Sequence, residues 1–148
     1  MSKDYKDDIR YTASLVEAIS RLSHNSVYDV VQMIGLEGLQ LIDRHASVNH
    51  CLPFEQVANE IIAKYRVPIG SYNNESESET CPSYTGIGMS YADVVIQVED
   101  NPEKYPERLL DVMKSKVSVW MHNYKSAFWF SPPDYKAYAY LHFGLNQD

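Results

Sequence analysis

The sequence predicts an all-α single-domain helical bundle of about seven helices, and three observations carry that reading. Residues 106–130, PERLLDVMKSKVSVWMHNYKSAFWF, place Leu109, Leu110, Met113, Val117, Trp120, Met121, Tyr124 and Phe128 mostly three or four apart, the spacing of one helix face. The same spacing recurs through most of the chain. The one β-branched run, around Val94, Val95 and Ile96, would as a lone strand leave its backbone groups unpaired, so it too reads as helix. Finally, 148 residues with 45% hydrophobic content can bury one core but hardly two.

Taken in order, the opening Asp4–Asp8 matches the start of a common epitope tag and departs from it at Ile9, so it is left out of the fold reading. Tyr11, Leu15, Ala18, Ile19 and Leu22 define a first helix from Arg10 to Leu22. SHNS breaks it, and Ser26 caps a second helix that ends at Gly35. A short third helix through Leu39 and Ile42 stops near His45. Pro53 and Glu55 open a fourth that runs through Ile61 and Tyr65 and ends before Pro68 and Gly70.

Residues 71–86, SYNNESESETCPSYTG, hold almost nothing to bury and read as a mobile acidic loop between an N-terminal unit, 10–70, and a C-terminal unit, 90–144. Ser90, with Asp93 three residues on, caps the next helix. The helix 106–130, about 35 Å long at 1.5 Å per residue, is the expected spine, with Trp120 buried at its centre. Ser118, His122 and Lys125 take its outer face. Ser131-Pro132-Pro133-Asp134 restarts a last helix from Tyr135 to Phe143, with Ser131 as cap.

The net charge of −7 disfavours general binding to nucleic acid. From Glu103 onward, however, six basic residues slightly outnumber five acids. No apolar run is long enough for a membrane span, and the charged start lacks the apolar stretch of a signal peptide, so a cytoplasmic protein with reduced Cys51 and Cys81 is expected.

Chemical signatures are weak. His45, His50 and Cys51 lack the spacing of paired metal ligands, and Cys81 with His122 would be a thiol pair in a loose segment. Asp93, Glu99, Asp100, Glu103 and Glu107 could supply converging carboxylates but also suit a solvated face and helix starts. Gly86-Ile87-Gly88 is a lone GxG with no strand before it. No catalytic residue, metal site or cofactor is therefore assigned.

The tail is the least ordinary feature. Nine aromatics fall between Trp120 and Phe143, and the adjacent Phe128, Trp129 and Phe130 point about 100° apart on a helix, so one core-facing stripe cannot take all three. Trp129 is expected to turn outward. Together with Lys125, Phe130, Tyr135, Tyr138 and His142 it forms the predicted interaction surface.

Residues 28–62, with Tyr28, Gly35, Leu36, His50 and Ile61 at the matching positions, resemble small prokaryotic helical domains of unknown function, although Asn49 stands where those have Leu. The resemblance implies a bacterial, phage or plasmid origin and no activity. The function expected from the sequence is a non-enzymatic protein–protein interaction or regulatory protein, of adaptor, immunity-factor or inhibitor type, that forms a homo-oligomer. The alternatives are a small hydrolase or transferase using carboxylate and His residues and, more weakly, a nucleic-acid accessory using Lys114, Lys116 and Lys125.

Overall fold

Helix α1, Tyr5–Ser23, is the element that the others enclose in the computed structural model, which describes residues 3–73 and 81–144. Every residue from Thr12 to Ser20 is buried, so the helix is covered all the way round. Its polar residues can be buried because they are small and bond locally. Thr12 Oγ1 donates to the Asp8 carbonyl at 2.8 Å, Ser14 Oγ to Arg10 at 2.8 Å, and Ser20 Oγ to Asn25 at 2.6 Å.

Around α1 pack α2 (Val27–Asn49), α3 (Phe54–Tyr65), α4 (Tyr84–Val98) and, less extensively, α5 (Tyr105–Lys114). Short α6 (Val117–Met121), α7 (Ala127–Phe130) and α8 (Pro133–Ala139) follow, and α8 runs into a wider π turn, Tyr140–Gly144. All the described elements are helical, as the periodicity required, and one hydrophobic core draws on both halves of the chain. No described helix is long and apolar enough to cross a membrane.

The sequence misplaced the spine. Residues 106–130 form three helices, because Ser115 is extended (φ −86°, ψ 178°) and its hydroxyl donates to the Val112 carbonyl at 2.6 Å while accepting from the Val117 amide at 3.1 Å. A second break lies between Met121 and Ala127, where the Ser126 hydroxyl caps α7 through the Trp129 amide. The apolar positions Leu109, Met113, Val117, Met121 and Tyr124 are buried as expected, whereas Trp120 is only half-buried.

Other boundaries move for similar local reasons. The segment 4–8 belongs to the fold, since Asp4 caps α1 and Asp8 is buried beside Lys3. Gly35 sits at φ 64°, ψ −174° inside α2, so the second and third expected helices are two halves of one bent element that continues past His45 to Asn49. Ser83, not Ser90, caps α4, so the expected loop 71–86 is already helical from Tyr84. Its residues 74–80 lie outside the described residues. Pro132 rather than Ser131 precedes α8, and the Ser131 hydroxyl donates back to the Phe128 carbonyl at 2.5 Å. Gly88, half of the lone GxG, has a packing role: a Cβ there would lie 2.1 Å from Ser14 Oγ and 2.5 Å from Ser14 Cα, so only glycine lets α4 approach α1 this closely.

Candidate functional site

The aromatic tail folds into an open apolar groove of about 880 Å³, whose walls include Trp120, Phe128, Tyr135, Tyr138 and Phe143. The breaks around α7 build it, since they swing Phe128 against Trp120 (ring centroids 5.4 Å apart) and let α8 fold back alongside. The outward residue of the aromatic triplet is Phe130, 75% exposed. Trp129 is half-buried instead, edge-on to Tyr124 at 5.9 Å and beneath the Lys136 ammonium at 5.0 Å. Lys136 is itself buried, donates to Ser90 Oγ at 2.9 Å, and has its pKa pushed down by loss of solvent. Of the other expected surface residues, Tyr135 and Tyr138 line the groove, His142 lies against the Tyr138 ring at 4.1 Å, and Lys125 is exposed.

A second constellation was not foreseen. His122, assigned by periodicity to the outer face, has a side chain only 6% exposed, and its Nε2 lies 2.6 Å from Glu17 Oε1 on the buried α1. Its Nδ1 lies 2.6 Å from the Ser118 carbonyl. A carbonyl and a carboxylate both accept, so this arrangement favours the imidazolium form, in which both ring nitrogens donate. Burial opposes that charge, but the hydrogen bond and charge of Glu17 together with the Ser118 carbonyl outweigh it and raise the pKa of His122. Arg21 Nε holds the other Glu17 oxygen at 3.2 Å, and its Nη2 donates to the Pro82 carbonyl at 2.6 Å. Tyr72, Tyr91 and Tyr124 surround this network, and each phenol is pushed up first by burial and then by the negative charge of Glu17. A Glu and a His 105 residues apart in sequence give no spacing signal, and Glu17 has Ser14, Ser20 and Arg21 at helical spacing, which in sequence looks like an ordinary polar face.

No family model, no curated protein and no solved structure matches the chain. The reading of these sites therefore rests on their geometry.

The remaining sequence candidates do not assemble. His45 is exposed within α2, while His50 and the exposed Cys51 sit 3.7 Å apart, and no group of three or more His, Cys, Asp or Glu among the described residues could hold a metal ion. Cys81 Sγ approaches the Pro82 carbonyl at 3.6 Å, and His122 is engaged by Glu17, so they make no thiol–imidazole pair. Glu99 is tied to Arg108 at 3.2 Å, with the Asn101 amide first and that guanidinium second in holding its carboxyl below the usual range.

Proposed function

We propose that the protein is a non-enzymatic interaction protein that forms a homodimer through its C-terminal aromatic face. The observation that carries this is a hole and a knob on one short stretch. The groove walls include Phe128, Ser131 and Tyr138, while Phe130, between two of them in sequence, projects into solvent. A two-fold axis beside such a surface places each Phe130 over the partner's groove, the self-complementary arrangement of an isologous dimer. Charge supports a second copy as the occupant, because residues from Glu103 onward are almost balanced and the negative charge resides elsewhere. Phe130, Tyr135, Tyr138, Leu141 and Phe143 are all exposed on this tail, and clustered exposed apolar side chains mark interaction sites.

Sedimentation velocity tests the reading directly. The wild type is expected to sediment as a dimer and Phe130→Asp as a monomer with unchanged helical circular dichroism. A wild type that stays monomeric at the highest attainable concentration would overturn it.

A second reading, a small hydrolase or transferase, has one observation in its favour: a carboxylate–imidazole pair beneath a cleft. Against it, both ring nitrogens are already engaged, which leaves no lone pair to accept a substrate proton. Turnover of an ester or phosphoester by the wild type and not by His122→Gln would select this reading over the first.

A further inference from the structure

The exposed Phe130 stands in sequence between two opposite charges, with Lys125 five residues before it and Asp134 four residues after it. These are the only exposed Lys, Arg, Asp or Glu side chains from Val117 to Gly144, because Lys136 is turned inward and donates to Ser90. Neither is paired within the chain. Among the described residues the Lys125 ammonium meets no carboxylate, and Asp134 Oδ1 accepts the Tyr135 amide at 2.9 Å with no cation beside it. Lys3, Arg21 and Arg108, by contrast, each hold a carboxylate.

Their places in the fold give the second observation. Asp134, in the first turn of α8, is the only charged residue among those that line the aromatic groove. Lys125 directly precedes Ser126, the cap of α7, whose Ala127 and Phe128 are groove walls. The cation thus lies on the stretch that leads to Phe130 and the carboxylate on the stretch that leaves it. Covering Asp134 with an apolar partner would desolvate a carboxylate that has no counter-charge, which is strongly unfavourable. A partner that fits this groove must bring a cation.

Symmetry supplies the third. A two-fold axis reverses the chain direction, so the stretch before Phe130 in one copy faces the stretch after Phe130 in the other. Opposite charges on the two sides of the knob then meet twice in each dimer. The lysine stem can lie along an apolar wall while its ammonium reaches the carboxylate. Resting on the homodimer put forward above, we propose that Lys125 of each copy pairs with the partner's Asp134. The two pairs make the groove select a second copy of this chain and set the antiparallel register of the contact.

Sedimentation velocity of charge-reversed variants, alone and mixed, at one pH and ionic strength, tests the pairing. Lys125→Glu and Asp134→Lys each bring like charges together twice, so each should dissociate at a concentration about tenfold higher than the wild type or more, with unchanged helical circular dichroism. An equimolar mixture of the two variants should recover dimerisation close to that of the wild type, because in the mixed dimer both contacts again join opposite charges. A role of either side chain within its own chain would not be rescued by mixing. A wild-type dimer that the single variants leave unweakened, or weakened variants that mixing does not rescue, would overturn the pairing and leave the dimer standing; a monomeric wild type would overturn both.

Discussion

At the residue scale, two glycines are required for different reasons and should fail differently. Gly88→Ala forces a Cβ to within 2.5 Å of Ser14 backbone atoms, so α1 and α4 must separate, and a loss of about 1–3 kcal/mol or more is expected in urea unfolding. Gly35 meets nothing within 4 Å of an added Cβ, but its φ of 64° with ψ near 180° is nearly forbidden to other residues, so Gly35→Ala should cost about 1–3 kcal/mol with no steric clash to relieve. His122 sets a pH dependence. Its folded pKa lies above the usual 6.5, so the stabilisation from protonation is fully present below about 6.5 and is lost as pH rises through the folded value. The groups facing it are Glu17 and Arg21 from α1, Tyr91 from α4 and Tyr124 after α6. Wild-type unfolding midpoints should therefore fall as pH rises above the usual histidine value, and His122→Gln should flatten that slope. A slope equal in both proteins would remove the imidazolium assignment.

At the element scale, the helical period told correctly that Leu109, Met113, Val117, Met121 and Tyr124 are buried, but it misjudged Trp120, Ser118 and His122 and told poorly where helices stop. Leu109, Met113, Val117 and Met121 follow one face because a chain that bends at Ser115 can still return the same side to the core. The hydroxyls of Ser115 and Ser126, which end and restart helices here, look in sequence like an ordinary polar face. On α1 the period does not separate two faces at all, since the polar Thr12, Ser14, Glu17 and Ser20 are buried along with the apolar positions, as their bonds to carbonyls and to His122 and Arg21 allow. Two consequences are measurable. Trp120→Ala, at the half-buried groove wall, should cost less than Leu109→Ala, a fully buried site where about 2–5 kcal/mol is expected. Glu17→Gln, which leaves both His122 and Arg21 without their carboxylate, should cost about 3–5 kcal/mol although it removes no packing volume. A Glu17→Gln protein as stable as the wild type would show that α1 is held by apolar contact alone.

At the scale of the whole molecule, the all-α class was legible because burial periodicity survives local breaks, whereas the aromatic tail was legible as a run of residues but not as a groove, and the Glu17–His122 pair not at all, because chain reversals that sequence spacing does not encode bring these residues together. The groove exists only where α7 and α8 fold back, and that reversal turns Trp129, expected outward, partly into the core while Phe130 is exposed. The dimer proposed for this face has a thermodynamic signature separate from sedimentation. If folding is coupled to pairing, the melting temperature must rise with protein concentration, because dilution favours the unfolded monomer by mass action. Such a rise is expected for the wild type over a hundredfold range of about micromolar to about 100 µM. Phe130→Asp should melt at one temperature across that range, since a charge at a 75% exposed position costs the monomer little but cannot enter an apolar groove. Tyr138→Asp, on the opposite side of the same contact, should behave alike. A concentration-dependent melting temperature that both variants retain would place the contact between copies on another face.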